Sequence, residues 1–130
     1  MLNLKKLTLS LSATILLGAA VPALGVDTLL KKKLPDDPGK EIQVVTVDYA
    51  PGDMDAIHRH NAHAVVYVLE GELDMQVRGG TLQHLRPGQV FYESPQDVHT
   101  VCRNASKTKP AKFLVFFIKN EGAPVLIPAQ

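Results

Sequence analysis

Glycine and proline recur at short intervals along this chain, and the segments between them are rich in β-branched and aromatic residues. Turn residues spaced in this way leave room for short strands but not for long helices. No segment beyond residue 25 carries the 3.6-residue period of an amphipathic helix. We therefore predict an all-β barrel or sandwich of about eight short strands.

The predicted strands are short apolar or alternating segments that end at turn signals. They cover residues 41–49, 65–69, 72–78, 81–85, 89–93, 98–103, 112–119 and 125–127. The third of these alternates most cleanly, because Leu73, Met75 and Val77 fall on one face. The Gly79-Gly80 pair that follows it predicts a hairpin turn.

Residues 1–25 have the three parts of a secretory signal peptide. Lys5 and Lys6 form a basic start, residues 7–21 form an apolar stretch, and Ala23-Leu24-Gly25 offers a small-residue cleavage site. The apolar stretch is shorter than the roughly 20 residues that a membrane-spanning helix needs. We predict cleavage after Gly25, a periplasmic or secreted location, and no membrane association afterwards.

Charge and cysteine content narrow the classes of function. Residues 1–25 hold Lys5 and Lys6 and no acidic residue, so their removal changes the formal net charge from +1 to −1. A near-neutral domain offers no electrostatic basis for binding nucleic acid or a membrane surface. Cys102 is the only cysteine, which excludes an internal disulfide. We predict an N-terminal arm over residues 26–40 and one domain over residues 41–130. Without a disulfide, the stability of this domain must come from packing, a metal or a partner subunit.

A six-residue stretch, His58-Arg59-His60-Asn61-Ala62-His63, holds three of the five histidines. On an extended segment His58 and His60 share one face, since side chains alternate. Two imidazoles on one face, just before a strand, are suited to hold a metal ion. The alternative interpretation is an accidental polar cluster in a surface loop.

Two motifs resemble those of the cupins, a family of small jelly-roll barrels. The first motif is matched by Gly52, His58, His60 and Gly71. The second is matched, with nearly the family's spacing, by Gly88, Pro95, His99 and Asn104. The resemblance covers roughly residues 51–104 and implies an all-β fold, a single cupin jelly-roll β-barrel over residues 41–130.

The resemblance also implies that His58, His60 and His99 hold a divalent transition metal, which could be Fe, Mn, Zn, Cu or Ni. The glutamate that cupins usually add falls on Ala64, which cannot bind an ion. His63 could be a fourth ligand only if a loop or bulge turned it inward; otherwise it faces solvent or supports the site from outside. Three neutral imidazoles would leave the ion a strong Lewis acid. The opposite expectation is a decayed site without metal.

Other polar residues are assigned structural places. Glu70, Glu72 and Glu93 lie at predicted strand ends, where we expect solvated carboxylates. Cys102 lies three residues after His99, so in a regular strand it faces the opposite side and packs there. A redox or ligand role is the alternative for this thiol.

Three functions remain open. The first is an exported metal-dependent enzyme, dioxygenase- or isomerase-like, that acts on a small oxygen-bearing molecule. The second is a non-catalytic cupin module that binds a small ligand or stores metal, and the third is an interaction subunit without metal. Export favours copper or zinc at a nitrogen-rich site, because the cytoplasm does not control metal loading there. The resemblance further implies a homodimer.

Overall fold

The computed structural model describes residues 25–130, which form ten β-strands. In chain order these are β1 (Gly25–Lys33), β2 (Lys40–Tyr49), β3 (His58–Arg59), β4 (His63–Glu70), β5 (Leu73–Val77), β6 (Gln83–Leu85), β7 (Val90–Glu93), β8 (His99–Asn104), β9 (Ala111–Asn120) and β10 (Ile127–Pro128). Seven of the eight predicted strands are present, and the predicted strand over residues 125–127 shares only Ile127 with the two-residue β10. The predicted signal peptide lies outside the described residues, apart from Gly25. In residues 25–130 no helix is long and apolar enough to cross a membrane.

The strands form two five-stranded sheets in which all neighbouring strands are antiparallel. One sheet has the order β1-β2-β9-β4-β7, and the other has the order β10-β3-β8-β5-β6. Both sheets contribute buried apolar side chains to a common core. The predicted all-β jelly-roll fold is confirmed.

Strand β9 shows how sequence alternation builds this core. Ala111, Phe113, Val115 and Phe117 are buried, and the residues between them are half-buried. Side chains alternate between the two faces of a strand, so one face of β9 lies against the core along its whole length. Lys119 continues the same face and is buried as well, with its ammonium group donating to the Glu41 carboxylate.

The segment predicted as an N-terminal arm is a strand over most of its length. Strand β1 pairs with β2 from Gly25↔Asp48 to Lys33↔Glu41, with one bulge between Thr28 and Leu30. Its side chains are almost all exposed, which is why the sequence shows no apolar period. As an edge strand it receives its hydrogen bonds from β2 alone, and its lysines discourage pairing with another chain.

Gly71, just after β4, has no room for a side chain. A Cβ atom there would lie 2.4 Å from the Pro110 carbonyl oxygen and 2.7 Å from the Ala111 Cα, and its φ is +74°. Gly79 has a nearly identical φ of +79° but nothing within 4 Å of its Cβ position. We expect Gly71→Ala to lower the free energy of unfolding by more than about 3 kcal/mol. The added methyl group would clash with the backbone of Pro110 and Ala111, which cannot move aside as a flexible side chain can.

Gly79→Ala is the matched control, since it should cost only the backbone strain of about 1–2 kcal/mol. Urea unfolding of both variants measures the difference. Equal losses would mean that the β9 backbone yields and that the close approach at Gly71 is unimportant.

Candidate metal centre

Strand register brings together the two histidine motifs. Strand β3 pairs with β8 at a single position, where His58 lies opposite His99. The two imidazole centroids are 5.1 Å apart, and that of His60 lies 4.8 Å from His58. One potential ligand atom from each of these three histidines lies within 4.8 Å of the others. The structure therefore assembles His58, His60 and His99 as predicted, and this cluster is able to hold a metal ion.

Backbone carbonyls orient two of the three rings. Nδ1 of His58 is 2.8 Å from the Ala56 carbonyl oxygen, and Nδ1 of His60 contacts that of Val125. A carbonyl oxygen only accepts, so each Nδ1 carries the proton and donates it. Each Nε2 is thereby left with a free lone pair, as in protein metal sites where a carbonyl holds the second ring nitrogen.

Glu93 is the residue that sequence reasoning missed. Its side chain is 2% exposed, so the predicted solvated carboxylate is wrong. Oε2 lies 3.5 Å from Nε2 of His60, and Oε1 lies 3.0 Å from Nδ1 of His99. The alternation of β7 buries Phe91 and Glu93 together. That alternation is visible in the sequence, but the position of Glu93 at the end of its strand favours a solvated carboxylate.

The buried polar atoms here have no protein partners. Both oxygens of Glu93 and both ring nitrogens of His99 are buried without a hydrogen bond. The 3.0 Å approach of Glu93 to His99 lacks the alignment that a hydrogen bond requires. Leaving such groups unpaired is costly, whereas nitrogen and carboxylate donors suit first-row divalent ions. The residues present therefore fit a divalent transition metal.

The charge states of Glu93 and His58 also suit a metal site, whereas Glu93 favours the protonated form of His60. Burial would raise the pKa of Glu93, but His60 and His99 outweigh it and lower that pKa to about 2. Burial lowers the pKa of His58 below its usual value. For His60, burial is outweighed by Glu93, and the pKa is raised. The carboxylate is ionised and His58 is neutral at neutral pH, which are the forms that bind metals.

His63 is not brought to this cluster. It lies exposed on the outer face of β4, where Nδ1 is 2.7 Å from the Tyr92 hydroxyl group. Asn61 adopts a left-handed conformation, with φ of 47°, yet Ala62 and Ala64 still point inward and His63 outward. This is the solvent-facing alternative. The inward position that would need a glutamate is held by Ala64, which is fully buried.

Cys102 faces the same cavity as His99, so its predicted position on the opposite side is wrong. The register of β5 and β8 passes from Gln76↔Val101 to Val77↔His99, which leaves Thr100 as an extra residue. A bulge of one residue reverses the alternation beyond it. Burial raises the pKa of the Cys102 thiol, so the group stays protonated rather than acting as a thiolate ligand.

A cavity of about 160 Å³ adjoins the candidate metal centre. Its polar lining comes from Asp55, His60, Glu93, His99 and Cys102. Its other lining residues are apolar and come from both sheets and the C-terminal segment: Val26, Val45, Val47, Val66, Met75, Phe113, Val115, Phe117, Val125 and Leu126. A pocket that combines few polar groups with apolar walls is typical of small-molecule sites.

These features define a small all-β protein of two sheets with a buried histidine cluster that is able to hold a metal ion. The sequence model described as "Cupin domain" (Cupin_2) matches residues 45–117, which include His58, His60, Glu93 and His99. The match covers more than half of the chain, and the protein belongs to the cupin family.

Solved structures share this fold, and one curated protein is similar in sequence. A conserved Klebsiella pneumoniae protein with a double-stranded β-helix domain has a TM-score of 0.65 at 21% identity, covering 87% of this chain and 90% of that one. The DMSP lyase DddQ from Ruegeria pomeroyi has a TM-score of 0.66 at 18% identity, covering 82% and 51%. Oryzines biosynthesis cluster protein J of Aspergillus oryzae is 33% identical over 84 residues. That match covers 65% of this chain but only 45% of the relative's length.

Proposed function

We propose that the protein is an exported metal-dependent enzyme, dioxygenase- or isomerase-like, acting on a small oxygen-bearing molecule. The observation that carries this proposal is the set of buried, unpartnered donor atoms of Glu93 and His99 beside His58 and His60. A metal-storage site needs only metal ligands, but this cluster also adjoins a cavity that could hold a small molecule beside the ion. Both features together favour catalysis over storage.

A divalent ion bound here would supply Lewis acidity toward an oxygen atom of the substrate. The chain's own residues orient the histidine rings and enclose the cavity. The carbonyls of Ala56 and Val125 hold the rings of His58 and His60 in one tautomer. The apolar walls exclude water and favour a substrate with an apolar body and one polar end.

The structural neighbours support small-molecule chemistry only at the level of the fold. One of them is a DMSP lyase, but at 18% identity its reaction cannot be carried to this chain. The reaction class proposed here rests on the Lewis acidity that a metal held at this site would supply. The identity of the metal stays a prediction, with copper or zinc favoured if the chain folds after export.

The homodimer also stays a prediction. The outer face of β4 and β7 exposes Val65, Tyr67, Leu69, Val90 and Tyr92. An apolar set of this kind is compatible with contact to a second copy.

Metal-dependent turnover is the decisive test of the enzyme proposal. The protein is stripped with a chelator, reloaded separately with Fe(II), Mn(II), Zn(II), Cu(II) or Ni(II), and screened against small oxygen-bearing molecules. Oxygen uptake and product analysis are the measurements. We expect turnover with at least one metal, loss of turnover on chelation, and recovery when that metal is returned.

The variant His63→Ala is the control, because His63 lies outside the cluster and should leave turnover unchanged. Saturable ligand binding without product, whichever metal is supplied, would instead support the non-catalytic binding module.

A further inference from the structure

We infer that Glu93 is a fourth metal ligand and replaces, from the neighbouring strand, the carboxylate that Ala64 cannot provide. This inference rests on the proposed metal site and names one more of its ligands. In the β4–β7 ladder, Ala64 and Glu93 are directly opposite each other. Both point into the barrel, with exposures of 0% and 2%.

Register explains how a carboxylate on one strand can serve a position on another. Side chains directly opposite in an antiparallel pair lie on the same face, with Cβ atoms about 4.5–5.5 Å apart. A glutamate side chain is long enough to bridge that separation. Ala64 carries only a methyl group, so the two opposite positions together present one carboxylate to the histidines.

The contacts of Glu93 point to an ion rather than to a simple ion pair. Its two oxygens approach different histidines, His60 at 3.5 Å and His99 at 3.0 Å, and neither forms a hydrogen bond. An ion pair alone would leave a buried carboxylate with both oxygens unsatisfied, which is strongly unfavourable. Coordination of a cation by Glu93 would give its carboxylate the partner that the protein does not supply.

The fourth ligand changes the expected chemistry of the centre. Ala64 alone predicted three neutral ligands and an ion with its full double positive charge. An ionised Glu93 offsets one of those charges, so the centre is a milder Lewis acid with fewer open positions.

Zinc affinity of Glu93→Gln tests this inference, because the amide keeps the shape of the side chain but removes its charge. Competition with a chromophoric chelator measures the dissociation constant of Zn²⁺. We expect binding to weaken by at least roughly 100-fold, the upper end of the loss seen when only a residue supporting a ligand is removed. Glu70→Gln is the matched control, since Glu70 is exposed at the end of β4 and should leave affinity unchanged.

A swap variant tests the register argument itself. Glu93→Ala should lose zinc affinity, and Glu93→Ala combined with Ala64→Glu should recover most of it, because the carboxylate returns to the same face one strand away. Recovery would be evidence for a ligand, since a structural role for Glu93 would not be restored from strand β4. A folded double variant that binds no better than Glu93→Ala would overturn the inference.

Wild-type protein provides a measurement that no folding defect can obscure. In a crystal structure of the zinc-loaded protein, an oxygen of Glu93 should lie about 2.0–2.2 Å from the ion. Zinc held by the histidines with Glu93 outside bonding distance would overturn the inference and leave the proposed function standing. Failure of the wild type to bind Zn²⁺ or any other metal tested would instead overturn the proposed function, and with it the role of Glu93.

Discussion

His99→Ala should abolish stoichiometric metal binding, whereas His63→Ala should leave it intact. His99 is buried at the start of β8, opposite His58, and it is the only member of the cluster whose two ring nitrogens both lack a protein partner. Its loss removes the one histidine that the second motif supplies to the cluster and leaves only His58 and His60 of the three. We expect the affinity for the metal to fall by at least roughly 100-fold. Metal content per chain, measured after dialysis, is the readout.

Metal binding should also stabilise the folded state, and this stabilisation gives an independent readout for the same variant. A ligand that binds only the folded state adds about 4 kcal/mol when its concentration is 1,000 times the dissociation constant. Zinc should therefore raise the unfolding temperature of the wild type and of His63→Ala but not that of His99→Ala. Equal stabilisation of all three proteins would place the metal elsewhere.

Asn104→Asp should be among the most destabilising single-atom changes in the described chain. Nδ2 of Asn104 donates to the carbonyls of Ala50, at 3.0 Å, and Lys109, at 2.7 Å. Its Oδ1 accepts from the Ser106 amide at 2.9 Å, and the residue is 4% exposed. An aspartate has no N–H to donate, so two carbonyls would face a buried carboxylate.

The expected loss is about 3 kcal/mol in the free energy of unfolding, from two unsatisfied carbonyls and a desolvated charge. Asn120→Asp is the matched control: Asn120 is exposed, and its Oδ1 already accepts from the Lys40 ammonium group. That change should alter stability by less than about 0.5 kcal/mol. Urea unfolding compares the two. A tolerated Asn104→Asp would mean that the loops it joins rearrange freely.

The Asn104 contacts also explain why the second motif matters beyond its histidine. The side chain joins the loop after β8 to the turn at Ala50, which leads toward His58. The motif residue therefore supports the start of the segment that presents the first motif's histidines. This is a structural role, and the sequence alone indicated only its membership in the pattern.

Much of the fold followed from local sequence. Turn residues and alternation located seven strands, because the choice between strand and turn depends on nearby residues. The same local rule placed His58 and His60 on one face, and the two motifs identified His99 as their companion. Strand β1 was missed because an exposed edge strand has no buried face to impose a period.

The amino-acid sequence by itself thus determined the all-β class, most strand positions and the three histidines of the site. Only the tertiary structure decided which carboxylate joins them and which side Cys102 faces. Glu93 lies opposite Ala64 through pairing between strands that are separated in sequence, and the bulge at Thr100 arises from the register of β5 and β8. Both are properties of strand pairing, and no local pattern encodes which residue of one strand meets which residue of another.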